Sequence, residues 1–61
     1  MMTTGSRIDI KPAFSCIDGE ELDELGRCSG HVLSIEPSGD VLVQLLNGDE
    51  VYLNIRRLVL A

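Results

Sequence analysis

Two glycine turns divide the second half of this chain into three segments of alternating polarity, and this constrains its fold more than any other feature. Pro37-Ser38-Gly39 and Asn47-Gly48-Asp49 are strong turn sequences. They separate residues 30–36, 40–46 and 50–54, in which Val, Ile and Leu recur at every second position. The expected structure is an antiparallel three-strand meander. Loops with an odd number of residues preserve parity across both turns, which places Leu33, Ile35, Val41, Val43, Leu45, Val51, Leu53 and Ile55 on one face. That face is the expected core. A two-residue Asn47-Gly48 turn would set Gln44 beside Val51, so a three-residue loop with Gly48 in a left-handed bulge position is preferred.

Upstream, Ile8-Asp9-Ile10 alternates before Pro12 and reads as a short strand. Residues 1–7 read as a flexible N-terminus, and residues 8–61 as one small domain. Residues 17–26 carry helix signals. Asp18 stands as N-cap with Glu21 three residues later, Ile17 and Leu22 occupy the staple positions, and Gly26 suits a left-handed C-terminal residue. The expectation is one short helix over about residues 19–25, with Leu22 and Leu25 docked on the sheet. At the other end, residues 58–61 form an apolar tail that reads as a closing strand.

The run from Gly39 to Leu53, Gly-Asp-Val-Leu-Val-Gln-Leu-Leu-Asn-Gly-Asp-Glu-Val-Tyr-Leu, followed by Leu58, resembles an SH3-like small barrel of the Tudor or KOW kind. The resemblance covers about residues 30–60. It implies a mainly β fold, either a small SH3-like barrel or a strongly bent antiparallel sheet, with a helical turn before the last strand. It does not carry over a ligand. A methyl-binding cage needs several rings and this chain has only Phe14 and Tyr52, while the basic loops of KOW-type barrels have a counterpart only in Arg56 and Arg57.

A chain of 61 residues has room for one thin core, which often needs a disulfide, a metal or a second subunit beside it. Cys16 and Cys28 are expected to be reduced in a cytoplasmic setting. Cys28-x-x-His31 has a zinc-like spacing, but with Cys16 it supplies three ligands where a structural site needs four, so neither metal nor other cofactor is expected. A Cys-His nucleophile pair lacks an orienting group and a cleft, so no enzymatic activity is expected. No signal segment or membrane span is legible, and a soluble cytoplasmic protein is the expectation.

Ten acidic against five basic residues give a net charge of −5, which opposes direct nucleic-acid binding. Asp18, Glu20, Glu21, Asp23 and Glu24 form an acidic surface suited to a basic protein partner. Leu42, Leu46, Tyr52, Leu58 and Leu60 are apolar positions beyond what one core holds, and point to self-association as a homodimer. The leading expectation is a non-enzymatic protein-interaction module, a small regulator or inhibitor. One specific form is a virus- or mobile-element-encoded antagonist of a host nucleic-acid-handling complex. The alternative is a nucleic-acid- or ribosome-associated small barrel using Arg56 and Arg57.

Overall fold

The computed structural model describes residues 1–61. The elements follow the alternating segments of the chain: β1 (Arg7–Ile10), β2 (Ser29–Ile35), β3 (Asp40–Leu45), β4 (Glu50–Asn54), a 3-10 turn (Ile55–Arg57) and β5 (Leu58–Leu60). All pairings are antiparallel, and the strands lie in one sheet in the order β4-β3-β2-β1-β5. β4 and β5 do not pair, so the sheet is open. The mainly β expectation therefore holds, as five antiparallel strands in one unclosed sheet.

Both hairpin loops share one design. Leu45 N–H donates to Asp49 O and Gly48 N–H to Leu45 O; in the first hairpin Glu36 N–H donates to Asp40 O and Gly39 N–H to Glu36 O. Gly39 (φ 96°) and Gly48 (φ 95°) occupy the left-handed bulge position that glycine enters without steric cost. The odd parity inferred for these loops is the observed one: Val43 faces Val51 and Val41 faces Leu53.

The register fails at one place. Val32 faces Val43 but Ser34 faces Leu42, so Leu33 is an extra residue on β2. This β-bulge flips parity along the strand. Beyond it Ile35 faces Val41 as expected; before it Val32 and Gly30 turn inwards instead of Leu33. The core is Ile8, Ile10, Val32, Val41, Val43, Leu45, Leu53 and Leu58, with Met2, Leu25, Cys28 and Val51 packed against it. Ile35 and Ile55, expected inside, are exposed at the rim because β2 ends at Ile35 and the chain turns into the 3-10 segment at Ile55.

Met2, Leu25 and Cys28 help to cover this face, and Gly30 lets β2 and β3 approach closely behind it. A Cβ there would lie 2.2 Å from the Gln44 carbonyl oxygen, so any side chain would push β2 from β3. Ahead of β1, Gly5 N–H donates to Val32 O and Val32 N–H to Ser6 O, continuing the β1–β2 ladder towards the N-terminus.

The expected helix over residues 19–25 does not form. Residues 13–22 make a small protrusion in which Phe14 and Glu21 form an antiparallel bridge, with Ser15 N–H donating to Glu20 O and Leu22 N–H to Ala13 O. Backbone groups a helix would need are thus spent on the neighbouring strand of the protrusion. The capping residues act locally: Asp18 Oδ1 accepts from Glu20 N–H and Asp23 Oδ1 from Leu25 N–H, each at 3.0 Å. Asx turns of this kind compete with helix initiation, and a two-turn helix has little to oppose them. Leu22 is 65% exposed rather than docked. Gly26 is not the left-handed residue; Arg27 is (φ 67°), and Gly26 instead lets Pro12 approach, since a Cβ would lie 2.7 Å from its ring.

Candidate functional site

The outer face of the sheet is set by the same alternation that fills the core. On β3 and β4, Leu42 and Tyr52 are direct cross-strand partners, with Ser34 on the far side of Leu42. Tyr52 is 61% exposed and Leu42 half-buried. Neither Phe14 nor the connection between β1 and β2 covers them as a helix would, for Phe14 is held in the protrusion and itself 52% exposed. Leu42 and Tyr52 therefore form an apolar pair open to solvent at one end of the sheet.

The other residues expected to join this patch do not. Leu58 is buried and faces Ile10, while Leu60 pairs with Ile8 at the sheet rim, away from Tyr52, and is 46% exposed. Leu58 is thus a core residue and not a contact for a second chain. Leu46 starts the second hairpin loop, beyond Gln44, and borders two grooves away from Tyr52. Of the apolar tail seen in the sequence only Leu58 is taken into the core; Val59 and Leu60 stay exposed on β5, paired with β1.

The acidic residues are spread over the connection rather than aligned on a helix face. Asp23 is held by Arg57 through two bonds, Nη1 to Oδ2 at 2.7 Å and Nη2 to Oδ1 at 3.2 Å. This bidentate pair, and then the Leu25 amide, holds the Asp23 carboxyl below the usual carboxylate range. Arg57 Nη2 also donates to Lys11 O at 2.9 Å, so one guanidinium ties the 3-10 turn to the residue just after β1 and to Asp23 further along the connection. Glu21 pairs with Arg27 at 3.2 Å. Asp18 and Glu20 on the protrusion, and Glu24 beyond it, have no cationic partner and remain free acidic groups.

The arginine pair of the sequence is divided by the same geometry. Arg57 is committed to Asp23 with its side chain only 18% exposed, while Arg56 is exposed and has no ion-pair partner. One free arginine is left where the alternative function needs a basic patch.

A second concave region was not legible from the sequence. Arg7, Asp9, Ser29 and His31 line a groove of about 460 Å³ on the outer face of β1 and β2. Arg7 faces His31 and Asp9 faces Ser29, whose hydroxyl donates to Asp9 Oδ1 at 2.6 Å. Only the β1–β2 register brings these four together. The alternation of Arg7 and Asp9 with Ile8 and Ile10 was the one available signal that they share a face. His31 accepts no hydrogen bond from Ser29 or Cys28, so the groove holds no assembled nucleophile and base. Both cysteines are unbridged; Cys16 is exposed and Cys28 directs its thiol to Glu24 O at 3.6 Å. No three His, Cys, Asp or Glu side chains converge on a metal-sized site, and no helix is long and apolar enough to cross a membrane.

Comparison with protein-family models, with curated proteins and with solved structures returns no match for this chain.

Proposed function

We propose that this chain is a non-enzymatic protein-interaction module, a cytoplasmic regulator or inhibitor built on a small β domain. The observation that carries the reading is the open apolar pair Leu42 and Tyr52 on the solvent face of the β3–β4 hairpin. A ring with one polar end, uncovered and held on a rigid strand, is the side-chain type most enriched at protein interfaces. The free acidic groups of Asp18, Glu20 and Glu24 add a charge pattern that favours a basic protein surface and disfavours nucleic acid. The strand order, with a 3-10 turn between the second hairpin and the closing strand, supports reading the fold as an SH3-like small barrel left open between β4 and β5.

The test is affinity capture from the native host with wild-type chain and with Tyr52→Ser, identifying retained proteins by mass spectrometry and measuring the affinity of each purified candidate. A defined protein whose affinity falls at least tenfold with Tyr52→Ser supports the reading, since an interface tyrosine of this kind commonly contributes that much. A partner bound equally by both forms, or no specific partner, sinks it.

A further inference from the structure

We infer that two copies of this chain join edge to edge through β4, in antiparallel two-fold pairing centred on Tyr52, to make one continuous ten-stranded sheet. The inference rests on the protein-interaction reading above and names a second copy of the chain as one of its partners.

The backbone provides the contact. Leu45 N–H donates to Asp49 O at one end of β4, and Ile55 N–H donates to Gly39 O at the other. The antiparallel alternation between these anchors turns residues 49, 51, 53 and 55 towards β3 and leaves the N–H and C=O groups of Glu50, Tyr52 and Asn54 pointing away from the sheet. No strand pairs with them. Natural edges are blunted by charge, proline, bulges or shortness; β4 has no proline, its pairing with β3 has no register shift, it is five residues long, and its one charged side chain, Glu50, stands at its end. β5, the other edge, is three residues long and its first amide is already donated to Ile55 O.

The side chains select a second copy in one orientation. Tyr52 is the middle residue of β4, so a two-fold axis there pairs Tyr52 with the second copy's Tyr52 and each Glu50 with an Asn54, and every outward backbone group gains a partner. Like charges do not meet. β4 is entered through Asp49 and Glu50 and left through Arg56 and Arg57, so antiparallel pairing brings the acidic end of one strand to the basic end of the other, where Arg56 has no ion-pair partner in its own chain. A parallel pairing would set acid against acid. On the outer face the order becomes Leu42, Tyr52, Tyr52, Leu42 across four strands, which sets the two exposed rings side by side. On the inner face the half-buried Val51 meets Leu53 of the second copy. Repulsion between two chains of net charge −5 acts mainly through exposed groups and is screened beyond about 8–10 Å at physiological salt.

The experiment combines light scattering, amide hydrogen exchange and a charge swap. Wild-type chain should scatter at about twice its 6.7 kDa mass. The amides of Glu50, Tyr52 and Asn54, which face solvent in a single chain, should be protected and lose protection on dilution. Glu50→Arg should weaken the dimer about tenfold by turning two attractions into repulsions. Adding Arg56→Glu should restore it, although Glu50 opens β4 and Arg56 lies in the 3-10 turn beyond its other end. A single chain at all concentrations up to 1 mM, a dimer whose Glu50, Tyr52 and Asn54 amides exchange freely, or a folded Glu50→Arg variant that dimerises as wild type would each overturn the inference. Should Glu50→Arg not fold, the wild-type exchange measurement decides alone. A heterologous partner lost with Tyr52→Ser while the chain stays single would leave the interaction reading standing and remove only the self-pairing.

Discussion

The meander β2–β3–β4 and the connection between β1 and β2 are neighbours in one small molecule, yet they are held in place by different physics. In the meander, alternating side chains, two glycine loops and a continuous ladder all select the same pairing, and Val41 and Val43 are wholly buried. In the connection only Leu25 and Cys28 pack against the core, Ile17 and Leu22 are 93% and 65% exposed, and order comes largely from Asx turns, one bridge and the Asp23–Arg57 pair. Hydrophobic burial is non-directional but scales with area, so it dominates where a face can close on itself. Short-range polar bonds decide the rest.

The sharpest way to break this contrast is to place the same kind of change in both regions. Val43→Asp should unfold the domain, since an unpaired buried carboxylate costs several kcal/mol against a total stability of roughly 5 kcal/mol or less for so small a chain; circular dichroism and a collapsed amide spectrum would report it. A folded Val43→Asp variant of wild-type stability would refute the core assigned here.

An intermediate effect is expected at the polar tie. Asp23→Asn should destabilise by about 1–2 kcal/mol by weakening both bonds to Arg57, read from urea unfolding at neutral pH. The tie also has a pH signature. Because the Asp23 carboxyl titrates lower in the folded chain than in the unfolded one, its contribution is full above the ordinary aspartate value near pH 4 and is lost as pH falls through the lowered folded value. Wild type should lose this increment in acid and Asp23→Asn should not, so their stabilities converge at low pH. Equal spacing at all pH values would remove the ion pair from the account.

The smallest effect belongs to Leu22→Ser, which should change stability by no more than about 0.5 kcal/mol because the side chain is already in water. A loss of 2 kcal/mol or more in thermal melting would mean that the connection is docked as the sequence suggested.

These contrasts also mark how far the sequence was legible. All five strands, both loop parities and the left-handed Gly48 follow from periodicity and turn chemistry, because such signals act between residues close in the chain. The bulge at Leu33 carried no such mark: Val32, Leu33 and Ile35 are equally apolar, and which of them turns inward depends on how β2 meets β1 and β3 at once. The helix signals of residues 17–26 were real as local chemistry, since Asp18 and Asp23 do accept backbone bonds, but they close turns instead of a helix. Of the site, Leu42 and Tyr52 were placed correctly on one outer face. Leu58 was drawn inside by the pairing of β5 with β1 while Leu60 stayed at the exposed rim, and the groove of Arg7, Asp9, Ser29 and His31 needed the long-range β1–β2 register.

By itself, then, the sequence determined the strands, their turns, the acidic balance and the existence of surplus apolar surface, all of which depend on residue type and spacing alone. Tertiary structure alone decided which apolar residues the core consumed, which acid found an arginine, and which edge stayed open, because each of these depends on contacts between segments far apart in the chain. Asp23 and Arg57 meet across 34 positions, a distance over which composition carries no register, and the edge of β4 is open because β5 pairs with β1 and does not reach round to β4.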